Sequence, residues 1–297
     1  MKSKFEKILC PIDFSDNSLR ALDSAIGWAR RDDALVYLMN VEFVPAETAE
    51  VENYVLISKE PAQAQLEKIA RQRMANTRHQ IVVEIGKPAE LIEEAATRYE
   101  VDLIAMATHS RKGVDRLLLG SVAEHVVRTA KCPVLTFGPG AAIEDLKRIL
   151  CPVDFDENSF VALEFAYSLA KQSQARLEVL HVVTLPFEPS EIPEQPGMPE
   201  WKKDSLARLQ SLVEGHLGRE AKYEIEVRRG DAATEILESV KQSHPDLMVL
   251  ATHGRTGISH LFLGSVAEHM VRASSIPVLT IRGKIEPAGV AGSQNIL

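Results

Sequence analysis

Two short segments of the chain combine residues that could bind a phosphate group. In the second half, nine residues separate Ala251-Thr-His-Gly254 from Gly264 and Ser265, which open a predicted helix. Glycine lets a ligand approach the backbone closely, and a helix start offers free N–H groups and the positive end of its dipole. The first half repeats the pattern with Ser110 in place of Gly254. These segments are therefore candidates for phosphate binding.

A purely structural explanation stays open for the same residues. Ser265 and Glu268 have the spacing of a capping box, which predicts that Ser265 caps its own helix. Gly254 could in the same way serve only to make a turn. Both explanations remain compatible with the sequence.

Complete catalytic signatures are absent from the sequence. It contains neither a G-x-x-x-x-G-K-[ST] loop nor a G-x-G-x-x-G loop, which are two common phosphate cradles. Ala123 and Ala267 replace the second glycine of a G-x-S-x-G nucleophile elbow, and the histidines lack H-E-x-x-H spacing. We therefore assign no catalytic residue and no protein metal site, and an enzyme is the less favoured interpretation.

The segments that must position these residues occur twice. Residues 7–14 read KILCPIDF and residues 148–155 read RILCPVDF, at an offset of 141. Residues 102–137 align without a gap to residues 246–281, and 21 of these 36 positions are identical. The chain is therefore one unit of about 140 residues written twice, as two domains rather than a solenoid. We call these units the first copy and the second copy.

Each copy alternates strand and helix patterns. In the first copy, hydrophobic periodicity predicts strands at 7–14, 34–44, 80–85, 102–107 and 133–137, with helices after Ser15 or Asp16 and at 62–78, 89–99 and 121–130. Such alternation favours a doubly wound parallel sheet with helices on both faces and a switch point beside the first strand. Ligands of such sheets bind at the carboxyl ends of the strands at that switch, so we expect the site near Asp13 and Ala107.

Composition and charge narrow the class of protein. The chain has 297 residues, a net charge of -8 and 5% aromatic residues. These values argue against nucleic-acid binding, both by bulk electrostatics and by base stacking, and against an anionic membrane surface. Three cysteines without a C-x-x-C pair predict a reducing compartment, and no apolar run reaches the roughly 20 residues that span a bilayer. We expect a cytoplasmic protein.

Both copies resemble the universal stress protein family over about 4–137 and 147–282. The resemblance is carried by ILCPIDF and ILCPVDF, by the G-[KD] turn before the third helix, and by ATH[SG]R…LGSVAEH…PVLT. It implies a tandem member with two five-stranded parallel domains of the adenine nucleotide alpha hydrolase-like kind. The family has an ATP-binding branch, whose motif resembles G-x-x-G, nine residues, then G-[ST], and a branch that does not bind ATP.

The resemblance also implies which residues would contact the nucleotide. An aspartate at the end of the first strand would lie near the ribose and adenine, and a residue after the second strand near the adenine. In the second copy the implied site residues are Pro152, Asp154, Val182, Ala251, Gly254, Gly264, Ser265 and Val266. In the first copy they are Pro11, Asp13, Val41, Ala107, Ser110, Gly120, Ser121 and Val122.

Departures from the family motif separate the two copies. Both have alanine at the first glycine position, and only the first copy also has Ser110 at the second. A Cβ at that point can clash with a phosphate, so we expect the second copy to bind ATP and the first to bind it weakly or not at all. Any Mg²⁺ would be held by the phosphates. The basic residues of the first-copy loop could offset its lost glycine or could be solvated charges; they are Arg111, Lys112 and Arg116.

The cysteines and histidines near the predicted site are weaker candidates for chemistry, and each has two possible interpretations. Cys10 and Cys151 occupy equivalent positions and are expected to be buried small hydrophobes rather than reactive thiols. His109 and His253 follow the fourth strands, where hydrogen bonding within the loop is preferred over metal binding with the nearby aspartate.

The predicted organisation is two domains, at 1–140 and 141–297, joined by a linker at 138–144. The proline-rich stretch 184–200 is expected to be a cover or a loop. The resemblance implies pairing through the last strand of each domain, which the fusion could make an intramolecular pseudo-dimer, with a homodimer of whole chains and an unidentified protein partner also expected. The predicted function is a stress-response sensor or regulator that binds ATP; an interaction scaffold without nucleotide and a slow ATPase are the alternatives.

Overall fold

The computed structural model describes residues 4–42, 52–108, 119–143, 145–184, 199–252 and 263–282. In the first copy the order is β1 (Lys7–Pro11), α1 (Asp16–Asp32), β2 (Leu35–Glu42), α2 (Glu52–Arg73), β3 (His79–Ile85), α3 (Pro88–Arg98), β4 (Leu103–Ala107), α4 (Ser121–Thr129) and β5 (Val134–Phe137). The second copy repeats it as β6 (Arg148–Pro152), α5 (Glu157–Ser173), β7 (Arg176–Val183), α6 (Glu200–Leu217), β8 (Glu224–Arg229), α7 (Ala232–Ser243), β9 (Leu247–Ala251), α8 (Ser265–Ala273) and β10 (Val278–Ile281).

The strands form one ten-stranded sheet in the order β3-β2-β1-β4-β5-β10-β9-β6-β7-β8. Within each copy every neighbouring pair is parallel, and the strand order reverses beside the first strand, as the sequence predicted. The α/β fold with two repeated, doubly wound domains is therefore confirmed. Both switch points lie between the first and fourth strands of a copy, where a crevice for a ligand is expected.

Helices cover both faces of the sheet because successive strand residues point to opposite sides. In β1, Ile8 and Cys10 join the core under α1, α2, α5 and α6, whereas Leu9 joins the core under α3, α4, α7 and α8. Each of these two cores contains residues of both copies. The two copies therefore pack against each other in shared hydrophobic cores. In the described part of the chain, none of the helices combines the length and the hydrophobicity that a membrane span requires.

The copies are joined edge to edge by β5 and β10, which pair antiparallel. This is the intramolecular pairing that the family resemblance implied. It leaves these two strands with partners on both sides, so the expected homodimer of whole chains would need another surface.

A buried carboxylate reinforces the contact between the copies beside the sheet. Asp32, at the end of α1, is 2% exposed and accepts hydrogen bonds from the backbone of Phe5 at 2.9 Å and from the side chain of Gln172 at 3.1 Å. Arg31 pairs with Asp32 and also reaches Ser173 in the other copy at 3.1 Å. The copies are thus tied by polar contacts as well as by the shared core.

Two elements, β1 and α2, differ from their predicted bounds by more than two residues. The first strand ends at Pro11 rather than at residue 14, because Phe14 adopts a φ of 62° that no strand residue can have. Helix α2 begins at Glu52, ten residues before the predicted start, and ends at Arg73, with Pro61 inside it. The predicted start of α1 holds, since Ser15 caps that helix by accepting from the N–H of Ser18.

Candidate functional site

A cleft of about 240 Å³ opens in the second copy at the carboxyl ends of β6 and β9, on the face covered by α7 and α8. We call it the second-copy cleft. The described residues that line it are Pro152, Val153, Asp154, Ser159, Leu180, Val182, Ala232, Ile236, Leu250, Ala251, Thr252, Gly264, Ser265, Val266 and Ala267. Its position at the switch point is where an open parallel sheet binds its ligand.

Asp154 follows β6 and starts a tight turn toward α5. One carboxylate oxygen, Oδ1, accepts the backbone N–H of Asp156 at 3.2 Å, and the N–H of Asp154 donates to the buried hydroxyl of Ser159 at 3.4 Å. Phe155, which stands between Asp154 and Asp156, has a φ of 65°, a conformation that non-glycine residues rarely adopt. Within the described residues, Oδ2 receives no hydrogen bond, so the turn leaves it for a donor in the cleft.

The opposite side of the cleft is the start of α8. The N–H of Gly264 donates to the carbonyl of Thr252 at 2.8 Å, so this amide is already occupied. The first intrahelical bond runs from Glu268 to the Gly264 carbonyl. The amides of residues 265–267 are thus the uncapped ones at this end.

Ser265 differs from its predicted role at this helix start. The cap position is held by Gly264, with φ -60° and ψ 140°, and Ser265 is the first helical residue. Its side chain is exposed and makes no hydrogen bond among the described residues. The prediction that Ser265 caps α8 is wrong, because a hydroxyl at the first helical position cannot reach back to the free amides of its own turn. The hydroxyl is therefore available to a ligand.

Apolar side chains form the wall between these two polar ends. Leu180 and Val182 come from β7, Leu250 from β9, and Ala232 and Ile236 from α7. Such a wall suits the flat face of an aromatic base. The cleft therefore combines an apolar wall, one carboxylate and one helix N-terminus.

The structure brings together seven of the eight second-copy residues predicted from the sequence: Pro152, Asp154, Val182, Ala251, Gly264, Ser265 and Val266 all line the second-copy cleft. Gly254 lies outside the described residues, as do His253 and most of the proline-rich stretch 184–200.

The first copy places its predicted residues at the same topological positions. Pro11 ends β1, Asp13 follows it, Val41 lies near the end of β2, and Ala107 ends β4. Gly120, Ser121 and Val122 start α4. The remaining loop residues, Ser110, Arg111, Lys112 and Arg116, and also His109, lie outside the described residues.

Asp13 is held more firmly by its own turn than Asp154 is. Its Oδ1 accepts both the backbone N–H of Ser15 at 3.1 Å and the Ser15 hydroxyl at 2.6 Å. The second copy has Asp156 in place of Ser15, and that side chain caps α5 by accepting from Asn158. The two aspartates therefore differ in how much of their hydrogen-bonding capacity the protein itself uses.

A packing reason explains Gly120 without any ligand. Its N–H donates to the carbonyl of Thr108 at 2.9 Å, and a Cβ at this position would lie 2.8 Å from the same oxygen. The corresponding amide of Gly264 makes the same bond to Thr252. The glycine before α4 is thus required by close backbone packing. In both copies the matching hydrogen bond brings the helix start up to the end of the fourth strand.

Metal and thiol chemistry find no support in the described part of the chain. It contains no group of three or more His, Cys, Asp or Glu side chains arranged to hold a metal ion. Cys10 and Cys151 are fully buried, and burial raises the pKa of both thiols well above the usual value. The sequence interpretation of these two cysteines as core residues therefore agrees with their burial.

Sequence reasoning misses two contributions to the site. One is the wall formed by Ala232 and Ile236, whose apolar spacing points only to helix packing. The other is a pair of buried polar residues in the second strands, Asn40 and His181. The signal is present, since each is the single strongly polar residue in an apolar run, LVYLMNV or VLHVV.

Comparisons with known proteins agree on one family. A model of the universal stress protein family matches the chain twice, over residues 4–137 and 145–282. A universal stress protein of Methanocaldococcus jannaschii is 40% identical over 142 residues, covering 44% of this chain and 81% of that protein. One of Mycolicibacterium smegmatis is 27% identical over 299 residues, covering 93% and 96%.

A solved structure matches the whole architecture. The crystal structure of a universal stress protein from Archaeoglobus fulgidus aligns with a TM-score of 0.73 at 21% identity, covering 93% of this chain and 98% of that chain. This similarity shows the two-domain fold alone.

Proposed function

The chain belongs to the universal stress protein family, and from that premise we propose that it binds an adenine nucleotide, ATP, in the second-copy cleft and acts as a sensor or regulator in a stress response. One observation carries the proposal: the cleft joins an apolar wall, a carboxylate and an uncapped helix N-terminus within about 240 Å³. These are the three environments that a base, a sugar and a phosphate chain need.

Each part of the nucleotide has a counterpart in the cleft. The base would pack against Val182 and Ile236. The carboxylate of Asp154 would accept hydrogen bonds from the sugar hydroxyls, since a carboxylate is a strong acceptor. The phosphates would lie at the start of α8, where the amides of residues 265–267 and the Ser265 hydroxyl donate. Pro152 and Ala251 would complete the floor.

The residues present fit an adenine nucleotide by their chemistry. The cleft is slightly smaller than the range of about 300–1,000 Å³ typical of small-molecule sites, and residues 253–262 lie outside the described part of the chain. Mg²⁺, if bound, would be held by the phosphate oxygens rather than by a cage of protein ligands. The protein's own part would be to fix the sugar and the phosphate chain.

Binding is favoured over turnover by the composition of the cleft. Asp154 is the one acidic or basic side chain among the described residues that line it. Hydrolysis benefits from a base that activates water and from cations that stabilise developing charge. We therefore propose a binding protein, in which nucleotide occupancy is the signal.

The first copy is proposed to bind nucleotide weakly or not at all. Asp13 already accepts two hydrogen bonds from Ser15, one of them from the hydroxyl at 2.6 Å. A sugar hydroxyl would have to compete with these bonds. The asymmetry in the loop, where Ser110 replaces Gly254, acts in the same direction.

The test is direct. The purified protein is denatured and the supernatant is analysed for released nucleotide by absorbance and chromatography, and the ligand-free protein is titrated with Mg²⁺-ATP by calorimetry. We expect one site per chain. Absence of both released nucleotide and binding heat would refute the proposal in favour of an interaction scaffold, and repeated turnover would favour an ATPase.

A further inference from the structure

Each second strand carries one buried polar side chain that bonds the backbone immediately before the site aspartate. Asn40, 4% exposed, donates from Nδ2 to the carbonyl oxygen of Ile12 at 2.9 Å. His181, 7% exposed, stands at the equivalent place, and its Nδ1 lies 2.8 Å from the carbonyl oxygen of Val153. Because a carbonyl oxygen only accepts, Nδ1 of His181 carries the proton. Two different side chains thus make the same hydrogen bond.

The bonded carbonyl belongs to the peptide unit that leads into Asp154. The other half of that unit, the N–H of Asp154, donates to Ser159, while the N–H of Val153 donates to the carbonyl of Leu180 at 2.8 Å. The hydrogen bond from His181 therefore satisfies the remaining polar group of this peptide, the carbonyl oxygen of Val153. With both ends bonded, the plane cannot rotate without breaking a hydrogen bond. The direction in which the Asp154 side chain leaves the backbone depends on the orientation of that plane.

The same imidazole also supports the next residue. The rings of Phe155 and His181 have their centroids 4.0 Å apart, and the guanidinium of Arg208, on α6, lies 4.4 Å from the centre of the Phe155 ring. Phe155 holds the unusual φ of 65°, which is unfavourable for a residue that carries a side chain. Packing on His181 helps to hold this residue, and the turn that carries Asp154, in that conformation.

The first copy shows that the hydrogen bond is kept at a cost. The Oδ1 atom of Asn40 is buried and has no hydrogen-bond partner among the described residues. A buried unpaired acceptor is unfavourable, and an apolar residue would avoid it. The favourable contribution of this side chain is the hydrogen bond that its Nδ2 donates to the carbonyl oxygen of Ile12.

We propose that His181 is a positioning residue for the Asp154 carboxylate, and that Asn40 has the same role for Asp13. The proposal rests on nucleotide binding in the second-copy cleft for its functional consequence. Its structural content, that the side chain fixes the aspartate turn, holds with or without nucleotide. The experiment therefore has one measurement for each part.

The first measurement is amide hydrogen exchange in the ligand-free protein. The N–H of Asp156 bonds to Oδ1 of Asp154, so its exchange rate reports the turn. We expect His181→Leu and His181→Phe, which lack the donor, to speed this exchange roughly tenfold, the effect of one lost buried hydrogen bond. His181→Asn, which installs the residue found in the first copy, should restore slow exchange.

The second measurement is ATP affinity by calorimetry. His181→Leu should weaken binding roughly tenfold, and His181→Asn should recover most of the loss. Asn40→Leu is the matched control, because it removes the same hydrogen bond from the other copy. It should speed exchange at Ser15, whose N–H bonds to Asp13, and leave ATP affinity and Asp156 exchange unchanged.

The outcomes separate the two claims. If wild type binds no ATP but the exchange pattern appears, the proposed function fails and the positioning role stands. Unchanged Asp156 exchange in His181→Leu overturns the positioning role, as does an equal loss of ATP affinity in Asn40→Leu. Failure of both donor-free His181 variants to fold, when Asn40→Leu folds, would assign His181 to the core and also overturn the proposal.

Discussion

Leu135 lies directly opposite Leu279 where the last strands of the two copies meet. On either side of this pair the threonine hydroxyls reciprocate: Thr136 donates to the carbonyl of Val278 at 3.0 Å and Thr280 to that of Val134 at 3.2 Å. The three contacts define an approximate two-fold axis through the centre of the sheet. Because the join is antiparallel, the carboxyl ends of the strands point to opposite edges in the two copies. The two candidate sites therefore face away from each other.

The assignment of the site to the second copy can be tested with two aspartate variants. Asp154→Ala removes the carboxylate of the second-copy cleft, and we predict a loss of at least about tenfold in ATP affinity, since a hydrogen bond to a charged group contributes about 1.5–3 kcal/mol. Asp13→Ala is the matched control and should leave affinity within about twofold, a difference of about 0.4 kcal/mol. Calorimetric titration with Mg²⁺-ATP measures both. The opposite pattern would move the site to the first copy.

Gly120→Ala tests the packing explanation for the glycine before α4. The added Cβ would lie 2.8 Å from the carbonyl oxygen of Thr108, which is backbone and cannot swing away. We predict a destabilisation of about 1–3 kcal/mol, seen as a lower midpoint of thermal unfolding. This effect needs no ligand, so it is expected in the nucleotide-free protein.

Gly27→Ala is the control for that substitution. Gly27 lies on α1, and a Cβ added there would meet no heavy atom of another element within 4 Å among the described residues. Alanine also favours helix over glycine by about 0.5–1 kcal/mol, so the unfolding midpoint of this variant should rise. A Gly120→Ala variant as stable as wild type would show that the close approach to Thr108 does not explain the glycine.

Asp32→Ala tests the polar contact between the copies. It removes the acceptor of the buried Phe5 N–H and of Gln172, and it leaves Arg31 without its carboxylate. We predict a loss of about 3 kcal/mol in the free energy of unfolding, because buried donors are left unpaired. Chemical denaturation followed by circular dichroism measures it.

An exposed ion pair gives the comparison for Asp32. Glu67 faces Arg71 one helical turn away on α2, at 3.7 Å, with 45% of the Glu67 side chain exposed. Glu67→Ala should cost less than about 1 kcal/mol. Similar losses in the two variants would mean that the Asp32 contact is no stronger than an exposed one.

Alkaline stability should depend on Cys132. Cys132 is partly buried, and this desolvation raises the pKa of its thiol to about 12 in the folded protein, while the unfolded chain releases the proton near the ordinary pKa of about 9. Stability is therefore fully present below the unfolded pKa and falls as the pH rises toward 12, by about 1.4 kcal/mol per pH unit. We predict that Cys132→Ala loses about 1–2 kcal/mol less than wild type between about pH 8 and pH 10.

Denaturant titrations at the two pH values give this difference directly. Cys132→Ser also removes the titrating thiol, so it should show the same reduced loss even if its stability at the lower pH differs. Equal alkaline losses in wild type and both variants would contradict the burial of a neutral thiol at this position.

Much of the architecture is predictable because it depends on patterns that repeat. The apolar runs that form β1 and β4, and the helical spacing of α1 and α4, each occur twice in the chain, so the assignment of an element in one copy is supported by the other. Right-handed crossovers leave few possible topologies, among which a switch point beside the first strand is the favoured one, but they do not fix the full strand order. The pairing of β5 with β10 follows from the resemblance rather than from the residues.

The predictions that differ from the structure concern the bounds of α2 and β1 and the cap of α8, and each difference has a local physical cause. Helix α2 continues through Pro61, which a propensity argument treats as a helix boundary. The predicted end of β1 is too late because Phe14 has the composition of a strand residue but the φ of a turn. Ser265 matches a capping box by spacing, yet Gly264 holds the cap position and Ser265 is the first helical residue.

The residues that line the candidate site can be predicted from the sequence, but the hydrogen bonds that hold them in place cannot. Asp154 and the start of α8 can be located from motif positions, whereas the hydrogen bond from His181 to Val153 depends on a register between β6 and β7 that no motif encodes. Polar residues inside buried strands are therefore worth examining when the chain repeats them at one position.

Because the two copies are fused in one chain, equivalent positions on either side of the β5–β10 pairing can differ. In a dimer of identical chains every substitution is made twice, and both sites must accept it. In this chain each position exists once, so His181 can stand opposite Asn40, and Asp231 can cap its helix where Lys87 offers no cap. The two halves of this chain can therefore carry different residues at equivalent positions, which a dimer of identical chains cannot do.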